Sequence, residues 1–451
     1  MNWLSYLPAF AVLLGIVVIV HELGHYWVAK WCGVKVLRFS VGFGRPVLSR
    51  RYGPDQTEWA LGAFPLGGYV KMLDEREAPV ADAELPRAFN RQSVGKRIAI
   101  VVAGPVANLL LAIMLFWVLF MVGLPGSQPI LGEIAKGSAA QKAGFVSGEK
   151  IVAVEGDPIM TWNEVGWAFT THLGGKSSIA VTSEDSTGQR REREIDARDS
   201  GNLEMGSDVL ETLGLNRVQA AVQVAEVMPS SPALRAGFLA GDQVLSIDKK
   251  PLTGGAKQFI GIIQVSVGKP LAVEVKRDGA VVSLSVTPEL PTERGGKVGI
   301  IGAKVGDADR AENRTLSRYG SGLAFSKALS KTWNMSWLSL KSLGQMLVGE
   351  MSVKNLSGPV TIANYAGQTA KMGLVQFINF VAIISISLGV LNLLPIPILD
   401  GGHLMYYIAE IIKGSPVSEK IMEMGQQLGL ALLIGLMVIA FYNDINRLIT
   451  G

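Results

Sequence analysis

The chain has few of the residues that are typical of a soluble or disulfide-bonded protein. It has one cysteine, Cys32, in 451 residues, so it can form no internal disulfide and no zinc site built from several cysteines. Charged residues make up 18%, hydrophobic residues 49%, and the net charge is only +4. So small a basic excess, with no Lys/Arg cluster interleaved with aromatic residues, argues against nucleic-acid binding. The low charge and a mean hydropathy of +0.32 indicate a membrane protein.

Four stretches contain no Asp, Glu, Lys or Arg over a length that could cross a membrane. They are residues 1–21, 98–124, 372–399 and 424–443. Each supplies about 20 or more largely apolar residues, enough for a hydrocarbon core of ~30 Å at ~1.5 Å per residue. The first lacks the basic start and the cleavage site of a signal peptide, so we expect it to be retained. The sequence predicts a polytopic α-helical membrane protein with four transmembrane helices.

The charges between the first two spans predict the orientation. From Lys30 to Arg97 there are 12 Lys/Arg and 7 Asp/Glu, whereas the N-terminal flank has no Lys or Arg. Basic residues in short loops mark the cytoplasmic side. We therefore expect this loop and the 400–423 connection inside, with both termini and residues 125–371 outside.

The long segment after the second span contains a repeat. The sequence beginning "GEIAKGSAAQKAGF" at Gly132 aligns without a gap with "AEVMPSSPALRAGF" at Ala225, an offset of 93 residues. A repeat of this length is typical of a duplicated domain. The shared pattern, read from Ser138 and Ser231, resembles the PDZ domain in its circularly permuted form. PDZ domains capture extended peptides by strand addition; two small β domains without a ligand are the alternative.

Two of only four histidines lie in "HELGH" at the end of the first span. On a helix, residues four apart share a face, so His21 and His25 can bind one metal while Glu22 acts on the attacking water. Zinc enzymes need a third protein ligand and an open position. Ionisable groups within a membrane are costly and usually functional, which disfavours a purely interfacial role for these residues.

A second polar cluster, "NLLPIPILDGGH", ends the third span. Pro395 and Pro397 cannot continue a regular helix, and we expect the Gly-Gly pair that follows to break it again. Irregular backbone at membrane depth is tolerated only inside protein or beside water. We predict that Asp400 is the third metal ligand; a solvated Asp at a helix-ending turn is the simpler alternative.

These motifs together resemble the site-2 protease family of intramembrane metalloproteases, over essentially the whole chain. The similarity includes "HELGH", "NLLPIPILDGG", "GPVAN" from Gly104 to Asn108, "FSVGFG", "PLGGYVKM" and the tandem PDZ pattern. The resemblance implies Zn²⁺ bound by His21, His25 and Asp400, with Glu22 as the catalytic glutamate. It also implies a bacterial inner-membrane enzyme of envelope stress signalling. Its substrate would be a single-span anti-sigma factor already trimmed by another protease, or signal-peptide remnants.

Substrate contacts are predicted at two places. The segment "TEWALGAFPLGGYVKML", residues 57–73, reads as a β-hairpin that dips toward the membrane, similar to the re-entrant hairpin of the family. Its edge, including Gly67, Gly68 and Tyr69, could pair with a substrate strand. Asn392 is a candidate hydrogen-bond donor to substrate backbone or to the oxyanion. A surface hairpin without substrate contact and a packing role for Asn392 are the alternatives.

The predicted layout follows from these assignments. In chain order it comprises transmembrane helix 1 (1–31), a cytoplasmic loop (32–96), transmembrane helix 2 (97–124), PDZ domains (126–218 and 219–303), an amphipathic region (304–371), transmembrane helix 3 with the LDG motif (372–402) and transmembrane helix 4 (424–443). The amphipathic region could lie on the outer membrane face or pack against the second PDZ copy.

Two other functions suit parts of this pattern. A membrane metal transporter also places metal ligands in membrane helices, but it would tolerate Glu22→Gln. A catalytically inactive PDZ scaffold in the bilayer would lack a motif residue, and none is missing here. An intramembrane metalloprotease accounts for every motif, with a transmembrane protein as its partner and with an extracytoplasmic peptide as a further partner of the PDZ domains.

Overall fold

A computed structural model describes residues 6–172, 177–196, 198, 209–218, 221–252, 255–290, 298–308, 313–352 and 356–450. The chain divides into two units, which we call the membrane unit (up to 124, and from 318) and the inserted unit (125–317). The predicted ranges 1–31, 126–218, 219–303 and 304–371 therefore extend in part outside the described residues.

The helices and strands are named here in chain order. The helices are α1 Leu7–Trp31, α2 Val94–Val122, α3 Ala139–Lys142, α4 Trp162–His172, α5 Val209–Thr212, α6 Pro232–Arg235, α7 Gly255–Val265, α8 Ser321–Leu347, α9 Pro359–Met372, α10 Leu374–Asn392, α11 Asp400–Lys413 and α12 Glu419–Thr450. The strands are β1 Val36–Tyr52, β2 Thr57–Met72, β3 Leu124–Ser127, β4 Lys150–Val154, β5 Asp157–Pro158, β6 Ser178–Glu184, β7 Arg190–Asp196, β8 Ala221–Val227, β9 Gln243–Ile247, β10 Lys250–Pro251, β11 Leu271–Arg277, β12 Ala280–Val286, β13 Ala303–Ala308 and β14 Arg314–Ser317.

Four described helices are long and apolar enough to cross a membrane, as the sequence predicts. They are α1, α2, α10 and the Glu419–Arg447 part of α12. The third is shorter than expected, because α10 ends at Asn392 before the two prolines. Residues 393–399 form the predicted irregular segment, which we call the proline loop.

The Gly-Gly pair after the proline loop does not break a helix, which corrects the prediction. Both glycines lie in the first turn of α11, which starts at Asp400 and replaces part of the expected 400–423 connection. A Cβ on Gly402 would lie 2.3 Å from the carbonyl oxygen of Ile396. The glycines are therefore needed because the helix start packs directly on the proline loop, and this holds Asp400 at a fixed place.

The predicted hairpin within 57–73 is also wrong in its pairing, although the segment is strand-like. β2 runs through the whole stretch and pairs with β1. Residues 38–41 of β1 lie between two parts of β2, opposite 68–71 on one side and 58–61 on the other. The proposed turn residues therefore separate the two parts of β2, which lie on opposite sides of β1 and do not pair with each other. No pattern of neighbouring residues in the sequence predicts such a long-range pairing.

An ionic contact fixes this sheet to the end of α1. Asp55, in the turn between β1 and β2, accepts hydrogen bonds from Lys30 at the end of α1 and from Arg87 Nη2, the latter at 2.6 Å. Burial alone would raise the pKa of Asp55, but these two cations hold it below its ordinary value. The turn is thus bound to α1, the helix that carries the HELGH motif.

The inserted unit repeats its elements at the offset seen in the sequence. Helices α3 and α4 and strands β4, β5 and β6 each recur 93 residues later as α6, α7, β9, β10 and β11. The short helices have matching N-caps, because Ser138 Oγ and Ser231 Oγ each accept a backbone N–H three residues on, at 3.2 Å. Phe145 and Phe238 fill equivalent positions of two separate cores. The alignment therefore reflects one fold used twice.

The two copies differ at their edges. The first has a four-stranded sheet in the order β5-β4-β6-β7, whereas the second adds β8 and β13 to the equivalent strands. Since β13 pairs with β8, the second copy extends to residue 308 and not to 303 as predicted. The predicted amphipathic region begins only with α8, of which Ala324 and Ala328 are buried. Trp117 Nε1 of α2 donates to the Ser321 carbonyl at 2.9 Å, so α8 packs along α2.

Candidate active site

Three predicted metal ligands converge in the membrane unit. His21 Nε2 and His25 Nε2 lie 3.2 Å apart, and Asp400 Oδ2 lies 3.2 and 3.4 Å from them. Helix α1 places the histidines on one face, and the start of α11 brings in the carboxylate from 375 or more residues later in the sequence. The structure therefore joins the two motifs that the sequence could only suggest were partners.

These separations fit a zinc ion. Nitrogen and oxygen ligands about 2.0–2.1 Å from a tetrahedral zinc lie roughly 3.3 Å from one another. Asp400 Oδ2 is buried, and in the described part of the chain it has no properly formed hydrogen bond. A buried carboxylate oxygen facing two imidazoles without such a bond is what a metal ligand requires. His21, His25 and Asp400 could hold the ion and leave one position open.

Backbone of α2 orients one of the histidines. His25 Nδ1 lies 2.8 Å from the carbonyl oxygen of Ile100, so the ring donates there and keeps Nε2 free. The contact requires close helix packing. A Cβ on Gly24 would lie 2.4 Å from the Ala103 carbonyl oxygen, and one on Gly104 would lie 2.3 Å from His25 Nε2. The glycine inside HELGH thus permits α1 and α2 to approach each other.

Glu22 is buried beside the histidines, and β2 approaches it from the other side. A Cβ on Gly68 would lie 3.0 Å from Glu22 Cγ and 2.8 Å from the Ser40 carbonyl oxygen. The absence of a side chain at Gly68 therefore lets a strand pass next to the candidate catalytic carboxylate. Gly67 has a φ of +107°, and a Cβ there would meet the Phe43 ring at 2.5 Å.

The remaining predicted substrate residues also face this place. Asn392 Nδ2, at the end of α10, lies 3.4 Å from His21 Nε2. The Tyr69 hydroxyl accepts a hydrogen bond from Arg38 Nη1 at 3.1 Å, and its ring stacks with Phe43 at 6.2 Å. Tyr69 is thus held by its own sheet. One cavity of about 930 Å³ is lined by the three ligand residues, Glu22, Asn392, Gly67, Gly68 and Tyr69.

A largely shielded ion pair fixes α11 to α2, and sequence reasoning missed it. Arg97 Nη2 donates to Glu410 Oε1 at 2.7 Å, and the guanidinium lies 4.8 Å from the centre of the Tyr407 ring. The two charged side chains are 11% and 12% exposed. The pair lies along the helix that Asp400 begins, so it holds the carboxylate's helix in place. Its partners are 313 residues apart, which explains why no local pattern predicts it.

Comparison with known proteins identifies the family of this chain. Residues 9–436 match Peptidase family M50. The chain belongs to this family. The regulator of sigma-E protease RseP of Escherichia coli (strain K12) is 39% identical over 451 residues, covering 99% of this chain and 100% of the relative. A putative zinc metalloprotease of Neisseria meningitidis serogroup A is 40% identical over 450 residues, covering 98% and 99%.

A third relative and one solved structure complete the comparison. A putative zinc metalloprotease of Ralstonia nicotianae is 42% identical over 458 residues, covering 98% of each chain. The PDZ domain of the SdrC-like protein from Listeria monocytogenes covers 20% of this chain and 93% of its own, at 21% identity and a TM-score of 0.18, which is too slight to bear on the fold. The protein is therefore an intramembrane zinc metalloprotease of the inner membrane.

Proposed function

We propose that His21, His25 and Asp400 hold the zinc of this M50 protease and that Glu22 is its acid–base residue. The observation that carries the assignment is the 3.2–3.4 Å triangle of ligand atoms, with Glu22 buried one residue from His21. Zinc, when bound, supplies Lewis acidity toward the scissile carbonyl and toward water. Glu22 accepts the proton of the attacking water and passes it to the leaving amine.

The substrate is proposed to bind as an extended strand along β2. Residues 68–72 of β2 pair with β1 on one side. The same residues line the cavity next to Glu22. A transmembrane helix has to unwind before its amides can react, and a free strand edge can receive the released backbone groups. Gly67 and Gly68 allow close approach, Tyr69 stiffens the edge, and Asn392 donates a hydrogen bond to substrate backbone or to the oxyanion.

The relatives support a more specific role and topology. One is named a regulator of sigma-E protease, so we assign to this chain a pre-trimmed anti-sigma factor as substrate, with signal-peptide remnants as a second class. The inserted unit is assigned as two PDZ domains on the periplasmic side, together with both termini. This is supported by the 93-residue repeat of elements and by the basic loop between α1 and α2. An extended extracytoplasmic peptide is the ligand that such domains suit.

Glu22→Gln tests the chemical assignment. The variant should bind zinc as the wild type does but lose cleavage of a membrane-embedded substrate by at least about a hundredfold, the lower range for losing a general base. The assay uses purified full-length protein in detergent or liposomes, with and without chelator, and zinc content is measured in parallel. Glu211→Gln, at an exposed glutamate on α5 that does not line this cavity, is the matched control. Undiminished cleavage by Glu22→Gln would rule out this role, and zinc flux across liposomes would favour a transporter.

A further inference from the structure

The GPVAN segment of α2, from Gly104 to Asn108, faces the proposed metal ligands, and the proposed mechanism gives Asn108 no role. A Cβ on Gly104 would lie 2.3 Å from His25 Nε2 and 2.8 Å from His21 Cε1, so this glycine leaves room for both rings. Asn108 lies one turn later on the same helix face. Its side chain is fully buried, and its Nδ2 lies 3.2 Å from His21 Nδ1. The last residue of the motif therefore contacts the back of a metal-binding ring.

The chemistry of the ring determines what that contact has to be. A neutral imidazole that binds a metal through Nε2 carries its proton on Nδ1 and donates it there. His25 meets this requirement through the Ile100 carbonyl, at 2.8 Å. If the Asn108 amide nitrogen donated to His21 Nδ1, the ring proton would be on Nε2, the atom that faces Asp400. The amide oxygen is therefore the group that metal binding requires at this position.

A second observation permits the same orientation. Among the described residues, Asn108 Oδ1 is buried without a hydrogen-bond partner, so no donor holds the amide in its present orientation. Turning the amide by 180° exchanges two groups of nearly equal size and places the oxygen on His21 Nδ1. The backbone here is held in place, because Ser385 Oγ of α10 donates to the Asn108 carbonyl at 2.8 Å. Only the side-chain amide has to turn.

We propose that Asn108 is a positioning residue of the zinc site. Its side-chain oxygen accepts the Nδ1 proton of His21, as the Ile100 carbonyl does for His25, and fixes the tautomer and ring orientation needed for ligation. The motif then combines two functions, since Gly104 provides space for the rings and Asn108 orients one of them. This inference rests on the proposed assignment of His21 as a zinc ligand.

The test compares Asn108→Leu with Asn108→Asp in the full-length protein. Leu has the same branching and number of side-chain heavy atoms but cannot accept a hydrogen bond, whereas an ionised Asp can only accept one at this site. Zinc affinity is measured by competition with a chromophoric chelator, with zinc alone as the probe. Leu should weaken zinc binding by about 10–100-fold, the usual effect of losing such a partner, and Asp should remain within about threefold of wild type or bind more tightly.

The outcomes separate orientation from packing. Ser387→Ala is the matched control, because it removes a hydrogen bond that stays within α10, from Ser387 Oγ to the Ile383 carbonyl, and it should leave zinc affinity unchanged. Wild-type affinity in Asn108→Leu, or a loss in Asn108→Asp as large as that in Leu, would overturn the proposal. Asn108→Leu could lower the melting temperature or alter gel-filtration behaviour. In that case the zinc affinity of Asn108→Asp alone tests the proposal. The zinc-ligand assignment has its own test, which is His21→Ala. If this variant binds zinc as tightly as the wild type, the assignment of His21 as a ligand is wrong.

Discussion

Acidic side chains that are mostly shielded from solvent have different partners in the two units of this chain. In the inserted unit, Glu149 accepts two hydrogen bonds from Arg193, at 2.8 and 2.9 Å, and Asp242 accepts two from Arg277, both at 2.7 Å. In the membrane unit, Asp400 Oδ2 faces two histidines and, among the described residues, has no fully formed hydrogen bond. Glu149 and Asp242 occupy equivalent positions of the two copies, but their arginine partners lie on different strands, β7 and β11. Asp400 Oδ2, in contrast, has no arginine partner in the described part of the chain.

The contrast distinguishes a structural charge from a functional one. A carboxylate with a bidentate arginine has all the partners that burial demands, so it stabilises a domain and does no chemistry. In the proposed site, Asp400 and its two imidazoles complete their coordination only with a cation that the chain does not encode. Incomplete hydrogen bonding of this carboxylate, and not its burial alone, supports the proposal.

Asp400→Asn should give the largest effect and would break the contrast directly. The amide is a much weaker ligand, so zinc should be lost, and with it the several kcal/mol of Lewis-acid stabilisation, or about a thousandfold in cleavage rate. Because no arginine is left unpaired, thermal stability in the presence of chelator should match that of the wild type. Zinc content, cleavage rate and melting temperature measure the three quantities. A variant that keeps its zinc and its activity would remove Asp400 from the site.

Arg193→Ala should have the opposite profile. It leaves Glu149 buried without its cation, in a pair whose side chains are 13% and 6% exposed. Losing one partner of a buried pair destabilises by about 3–5 kcal/mol. Amide hydrogen exchange of the full-length protein should accelerate by roughly a hundredfold to a few thousandfold in β6 and β7, the factor that corresponds to this loss, while zinc affinity stays unchanged. Equal protection in mutant and wild type would show that the ion pair is not structural.

The smallest effect is expected from pH in the second copy. Hydrogen bonds from Arg277 hold the pKa of Asp242 below its ordinary value of 3.8. A carboxyl group whose pKa is lower in the folded state adds stability above the unfolded-state pKa, and this stability is lost as the pH falls through the folded-state value. Exchange of β9 and β11, corrected for intrinsic rates, should therefore quicken as the solution is acidified below pH 4. Arg277→Ala should flatten that dependence, and an equally steep profile in the variant would contradict the assignment.

The sequence predicts those features that depend on neighbouring residues. Four apolar runs are enough to predict four spans because each helix satisfies its own backbone in lipid. The 93-residue offset predicts equivalent elements because both copies pack the same apolar positions, such as Phe145 and Phe238. His21 and His25 can be paired because a helix brings residues four apart together. Each of these inferences needs only local geometry.

The features that were missed depend on contacts between distant segments. Residues 58–61 and 68–71 are each strand-like, but the pattern does not show that β1 lies between them. The glycines after Asp400 suggest a helix break unless the adjacent proline loop is known to need their space. Asn108 belongs to the GPVAN motif, but the residue that it contacts, His21, is 87 residues away on another helix. A motif therefore marks a site, while only the fold shows what its members do.

The hydrogen-bonded pairing of β3 with β14 has a consequence for how this protein was assembled. The chain leaves the membrane unit at Leu124 and returns at Arg318, and the first and last strands of the excursion are neighbours. Strands so paired are ~4.8 Å apart. A segment with adjoining ends can be gained or exchanged by recombination without separating α2 from α8. The 193-residue insert therefore meets the geometric condition for an exchangeable module, because its two ends adjoin.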